Sequence, residues 1–112
     1  MAKILILTNT IEGLYNFRYE LLERLINEEF EIYFSIPESK NDTKVKKLIE
    51  LGCNYIETNL DRRSTNPFKD LKLIKQYKDI IKYAKPDVIL SYTIKPNIYG
   101  SYVAKKYKIP II

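Results

Sequence analysis

The sequence has no histidine and one cysteine, Cys53, in 112 residues. A lone cysteine excludes an internal disulfide. With no imidazole and one thiol, the usual donor set of a zinc site is missing, and so are the Ser-His-Asp and Cys-His nucleophile systems. Any chemistry falls to carboxylates, lysine, tyrosine, backbone groups or a second domain. Apolar runs are short, and none is long enough to span a bilayer. Ile4, Leu5, Ile6 and Leu7, directly after Met1, Ala2 and Lys3, are too few for the apolar stretch of a secretory signal, which points to the cytoplasm. Glycine is scarce, with three in all, and neither G-x-G-x-x-G nor G-x-x-x-x-G-K-[ST] occurs. A dinucleotide fingerprint and a P-loop are therefore absent.

What is present fits one small domain over residues 1–112, with 46% apolar and 29% charged residues. The net charge of +5 is unevenly spread. Residues 1–61 carry seven basic and eleven acidic side chains, whereas residues 62–112 carry twelve basic and three acidic. The second half is thus suited to an anionic partner: a nucleotide, a diphosphate lipid, a membrane surface or nucleic acid. A lysine-rich composition inherited from an AT-rich genome accounts for the same surface charge equally well. The ten tyrosines carry no ribonucleoprotein motif, and several fall on faces expected to be buried, so nucleic acid is not the expected partner.

Strand and helix patterns alternate along the chain. Residues 3–8, 30–36, 53–57 and 88–92 read as strands, and residues 109–112 as the start of a fifth. Residues 16–28 read as a helix with Leu14, Leu21, Leu22, Leu25 and Ile26 on one face. Asn41, Asp42 and Thr43 offer a cap for a short helix with Val45, Leu48 and Ile49 inward, and Gly52 stands where a helix C′ glycine belongs. Asn66 followed by Pro67 starts a helix running to about Ala84. Leu73, Ile74, Tyr77, Ile80, Ile81 and Ala84 form its apolar stripe; Lys75, Lys78, Lys82 and Lys85 form a separate basic one. Residues 97–106 read as a last helix, with Asn97 as its N-cap.

This order implies an α/β fold: a Rossmann-like parallel sheet of expected order 3-2-1-4-5 with helices on both faces. The sequence stops within a strand pattern, so a piece of a longer protein is expected. In such sheets ligands bind beyond the strand C-termini, where strand order reverses. Here that point lies between strands one and four. The flanking loops contain Asn9, Thr10 and Gly13 on one side and Thr93, Lys95 and Asn97 on the other. Both lead into helix N-termini, which favour anions. Gly13 reads either as a close-approach position or as a left-handed turn residue. Arg18, on the inward face of its helix, reads as an anion clamp or a surface arginine. Lys95 suits an anion at a helix start, and Arg62 with Arg63 forms a second basic turn.

Asn9, Gly13, Leu14, Tyr15, Asn16, Phe17 and Arg18 are followed in order by Leu51, Gly52 and Cys53, then Arg62, Arg63, Ser64, Thr65, Asn66 and Pro67. A last stretch joins Pro86 and Asp87 to Thr93, Ile94, Lys95, Pro96, Asn97, Ile98, Tyr99 and Gly100. In this series, most specifically in residues 93–100, the chain resembles the N-terminal domain of bacterial family 4 glycosyltransferases. Those enzymes build capsular, exopolysaccharide or O-antigen repeats.

The resemblance implies a GT-B enzyme: two Rossmann-like domains with the active site between them, retention of anomeric configuration, and no bound metal or other cofactor. The N-terminal domain would hold a polyprenyl-diphosphate-linked glycan acceptor, and the C-terminal domain the nucleotide sugar. Asn9, Thr10 and Gly13 would face the diphosphate and the reacting sugar. Thr93, Lys95 and Asn97 would face the cleft, with Lys95 supplying charge where many relatives have histidine. Relatives commonly have glycine where Glu29 stands, so a strained, slightly frayed helix end is expected there. The last strands of the N-terminal domain and the whole C-terminal domain are absent from this sequence, so the piece alone is expected to be inactive. The alternative is a stand-alone subunit that recruits a separate catalytic chain to the membrane. The lysine stripe would dock on the anionic inner face of the cell membrane, and an exposed sheet edge could pair with another copy.

Overall fold

A computed structural model describes residues 2–58 and 67–112. The elements alternate in chain order: β1 (Lys3–Leu7), α1 (Ile11–Asn27), β2 (Glu31–Ile36), α2 (Thr43–Leu51), β3 (Asn54–Glu57), α3 (Pro67–Ala84), β4 (Val88–Ser91) and α4 (Ile94–Tyr107). The four strands form one parallel sheet in the order β3-β2-β1-β4. Leu5 of β1 lies between Tyr33 of β2 and Ile89 of β4. The expected fifth strand is a single parallel bridge, Ile89 to Ile111, in which the Ile89 and Ser91 N–H groups donate to Pro110 and Ile112. The strand order is therefore as expected, with the last strand only begun.

Alternation along each strand sends side chains to two cores. Ile4, Ile6, Ile32, Phe34 and Ile36 meet α1 and α2, where Leu22 is fully buried. Leu5, Leu7 and Ile89 meet α3 and α4 through Leu73, Tyr77, Ile81 and Val103. Burying one such leucine or isoleucine contributes about 1.5–3 kcal/mol. The apolar stripe of α3 falls where the spacing places it. Two helix starts do not. α1 opens at Ile11 rather than near residue 16, because Thr10 caps it: its Oγ1 accepts from the Glu12 N–H at 3.2 Å. Ile11 and Leu14 are then buried in line with Leu22, while Leu21 lies half out on the flank. α4 opens at Ile94, so Asn97 is inside its first turn and is not the N-cap, which is Thr93. The expected cap at Asn66 lies outside the described residues.

All four helices end on a residue with positive φ: Glu29 (69°), Gly52 (120°), Lys85 (49°) and Lys108 (57°). At the end of α1 the Phe30 N–H donates to the Leu25 carbonyl and the Glu29 N–H to the Ile26 carbonyl, both at 3.0 Å. This is the paired pattern that requires a left-handed residue. Gly52 adopts it freely; the other three carry a Cβ against it. The left-handed strain expected at Glu29 is thus observed, but the end is closed by these two hydrogen bonds and not frayed.

α3 and α4 are tied by one carboxylate. Asp70 accepts from the Tyr99 hydroxyl at 2.8 Å and from the Lys95 ammonium at 3.1 Å. The Tyr99 hydrogen bond, opposed by partial burial and aided by Lys95, holds the Asp70 carboxyl below its ordinary value. A lowered acid stabilises the fold above the unfolded-state value and stops doing so as pH falls through the folded-state one.

Two outcomes test these ends and ties. Glu29→Gly should raise unfolding stability by about 1 kcal/mol by removing the left-handed Cβ, seen as a higher urea midpoint at unchanged slope. Asp70→Asn should lower stability by about 1 kcal/mol at neutral pH, and the gap should close in melts below about pH 4. A gap of equal size at both pH values would remove the charge from the account.

Candidate functional site

The reversal of strand order falls between β1 and β4. α1 leaves β1 toward one face of the sheet and α4 leaves β4 toward the other. Their first turns therefore diverge above the strand ends. A cleft of about 90 Å³ opens between them, lined by Thr8, Thr10, Gly13, Leu14, Phe17, Arg18, Tyr92 and Thr93. The Tyr92 N–H still donates to Leu7 at 2.9 Å and the Thr8 N–H to Ser35 at 3.3 Å, so the floor is fixed to the sheet.

Arg18 reaches this cleft from α1. Its guanidinium lies 4.7 Å from the centre of the Tyr92 ring, and Nη1 donates to the Phe17 carbonyl at 3.4 Å. Among the described residues no carboxylate pairs with it within 4.0 Å. Stacking on an aromatic face positions an arginine and leaves its edge donors directed outward.

Gly13 is the third residue of α1, and its backbone is not left-handed. The turn reading of this glycine is thereby removed. Nor does packing require it: a Cβ there would meet Thr10 Cγ2 at 3.8 Å, an ordinary contact. Gly100 differs, since a Cβ there would come to 3.0 Å from Leu7 Cδ1, tight enough that the Leu7 side chain would have to shift. A glycine inside a helix costs about 0.5–1 kcal/mol relative to alanine. At Gly13 that cost leaves the cleft wall bare.

Thr93 carries the second irregularity. Its φ of 74° and ψ of 169° lie in a region nearly reserved for glycine. Its hydroxyl donates to the Tyr92 carbonyl and does not cap α4. Backbone strain of this kind, about 1–3 kcal/mol, gathers at ligand sites.

Of the residues singled out from the sequence, Thr10, Gly13, Arg18 and Thr93 line this cleft, and Asn9 lies between Thr8 and Thr10 at its rim. Asn97 does not line the cleft; its Oδ1 accepts from the Ser91 hydroxyl at 2.6 Å. Lys95 is tied to Asp70 and lines a separate, larger cavity of about 720 Å³. That cavity lies over Pro37 and Thr58 at the ends of β2 and β3, against one side of α3. Arg62 and Arg63 lie outside the described residues. Sequence reasoning had no signal for Asp70, whose partners stand 25 and 29 residues away. It also passed over Lys69, Lys72 and Gln76, whose common side of α3 shows on a helical wheel once the apolar stripe is drawn.

Cys53 is buried, and burial pushes its thiol up to about 12, which makes it an inert core residue and not a nucleophile. No group of three potential metal-binding His, Cys, Asp or Glu side chains occurs among the described residues.

The fold recurs in known proteins. MurG of Acinetobacter baumannii superposes with a TM-score of 0.72 at 15% identity, over 99% of this chain and 33% of that one. A glycosyltransferase of Rickettsia africae gives 0.73 at 24% identity, over 98% and 28%. The UDP-GlcNAc 2-epimerase of Neisseria meningitidis, in a structure bound to UDP-GlcNAc, gives 0.68 at 18%, over 97% and 31%. The chain thus spans about a third of the length of each. No curated protein sequence matches it. The model of the family described as glycosyl transferase 4-like matches residues 3–112. With nearly every residue inside that match, and with the sheet of a GT-B N-terminal domain, the chain belongs to the glycosyl transferase 4-like family.

Proposed function

We propose that this chain forms the acceptor side of a retaining glycosyltransferase in cell-surface polysaccharide synthesis. The acceptor is a glycan on a polyprenyl diphosphate, and the sugar comes from a nucleotide sugar held by a further domain. The observation that carries the reading is Gly13: a helical glycine, unexplained by backbone or packing, in the wall of a cleft beside an arginine that pairs with no carboxylate among the described residues. A group that must approach the α1 backbone closely accounts for it.

The chemistry this chain supplies is binding and orientation. The N-terminal turn of α1 opens on the cleft opposite Thr93, the residue before α4, and presents backbone N–H groups and the positive end of its dipole. Arg18, held by the Tyr92 ring, adds a full charge with donors in a planar fork suited to a phosphate. Glu12, in the first turn of α1, opposes an anion, but it is exposed and lies 3.9 Å from the Lys44 ammonium. A diphosphate seated between the two helix ends would fix the acceptor sugar at the cleft mouth, facing the donor.

A contact with the anionic inner face of the cell membrane belongs to the same reading. Lys78 lies beside Lys106, whose proximity, with burial and then Lys82 adding smaller effects, pulls the Lys78 ammonium below its ordinary value. Three lysines thus converge where α3 meets α4, and such crowding is relieved by an anionic surface. On α4, Ile94, Ile98 and Tyr102 stand four residues apart and are all more than half exposed, an apolar ridge suited to an interface. No helix among the described residues is long and apolar enough to cross a membrane.

In the full-length protein, Gly13→Ala should raise unfolding stability by about 0.5–1 kcal/mol and lower turnover at least tenfold. Arg18→Ala should also lower turnover tenfold or more, a loss of about 1.4 kcal/mol of transition-state binding. Unchanged turnover in both variants would remove the cleft from the reaction. In vesicle sedimentation, the protein should follow anionic vesicles far more than neutral ones, and equal binding to both would dismiss the membrane contact.

A further inference from the structure

The larger cavity has a composition of its own. Its wall is one side of α3, from which Lys69, Lys72, Lys75, Gln76 and Asp79 project, and its floor is apolar, made by Leu73 and Pro37. Leu73 is 1% exposed and belongs to the core, so the floor is rigid. Thr58, also buried, closes the base with its hydroxyl bonded to that of Ser35. The Lys95 charge at the rim is matched by Asp70. Among the described residues, the remaining walls also carry Lys72 and Lys75 against Asp79. Among the described residues, Lys72, Lys75 and Asp79 make no salt bridge within 4.0 Å.

Each part of this composition restricts the ligand. Lysines in excess ask for an anion. A bare phosphate would be served by cations alone and gains nothing from Asp79. The carboxylate of Asp79 accepts hydrogen bonds only, and Gln76 both donates and accepts, which suits hydroxyl groups. Pro37, half-buried, offers apolar surface for a C–H face. An anion on a polyhydroxylated, partly apolar body is an acidic sugar. The volume of about 720 Å³ lies in the range of small-molecule sites, roughly 300–1,000 Å³, and is far larger than the cleft beside Arg18. Both openings lie at the C-terminal edge of the same sheet, joined across α4: Thr93 lines one, and Lys95, two residues on, lines the other.

We infer that this cavity binds a carboxylate-bearing sugar, a uronic acid, of the acceptor glycan, while the cleft at Arg18 takes the diphosphate. The inference rests on the acceptor-side reading and adds the chemical class of the acceptor. Lys72 and Lys75 meet the carboxylate, Asp79 and Gln76 meet hydroxyls, and Pro37 supports the ring.

The test uses the full-length protein and two disaccharides that differ at one carbon, cellobiouronic acid and cellobiose, followed by ligand-detected NMR titration. Cellobiouronic acid should bind at least tenfold more tightly than cellobiose. Lys72→Gln with Lys75→Gln should erase that preference, and Asp79→Asn should weaken both disaccharides together. Inorganic phosphate should compete poorly. Equal binding of the two disaccharides, or a preference that survives the double lysine variant, overturns the inference. So does inorganic phosphate that displaces the acidic disaccharide at equal concentration, since the site would then read charge alone. The wild-type comparison needs no variant to fold. A flat titration in a protein whose turnover still depends on Arg18 rejects the uronic acid site alone. Loss of that dependence with the titration intact rejects the diphosphate cleft alone.

Discussion

The structure depends on the position of β1. Like β2 it has hydrogen-bonded neighbours on both sides, and its alternate side chains enter the helix layers on both faces. Parallel strands reach that state only when their crossovers cover both faces. The right-handed rule sends crossovers in opposite directions along the sheet to opposite faces. At β1 the direction changes, so α1 and α4 must separate above it. The cleft is a consequence of that topology rather than of any one side chain, and its floor inherits the rigidity of the best-buried strand. The side chains add what topology cannot: a bare backbone at Gly13, a charge at Arg18 and a ring at Tyr92 to hold it.

Departures from local preference are not evenly shared. Glu29, Lys85 and Lys108 are left-handed helix ends on the surface, where a Cβ is tolerated at modest cost. Thr93 differs from them. Its conformation is more restricted, its residue is β-branched, and it sits between the two openings at the strand ends. The Ser91 to Asn97 hydrogen bond and the Tyr92 N–H bond to Leu7 clamp the backbone on both sides of it. A strained residue persists when its surroundings over-determine it, and here the strain lies where the chain turns from the sheet into the ligand face.

Much of this was legible in the sequence because its signals are local or periodic. Five strand patterns, the stripe of α3 and the glycine ending α2 follow from spacing alone, and with them the strand order and the switch point. Helix starts were harder. Thr10 and Thr93 each precede a helix that begins earlier than the apolar pattern shows, and the glycine at 13 and the proline at 96 interrupt that pattern. The contacts between α3 and α4 were not legible. Asp70, Lys95 and Tyr99 carry no shared motif and meet only because two crossovers pack side by side. The large cavity was hidden for the same reason, its wall being a helix side whose importance depends on what it faces.

The two basic residues nearest the strand ends are held in different ways, which bears on how each opening responds to a ligand. Lys95 already has an anion, and a newcomer must compete with Asp70 for it. Arg18 rests on the π-face of Tyr92, a partner that holds it in place without neutralising it. Among the described residues, no carboxylate has to be displaced when an anion arrives beside Arg18. On the proposed reading the opening at Arg18 is a receptor set in advance, whereas the charge at Lys95 is one the fold keeps for its own cohesion.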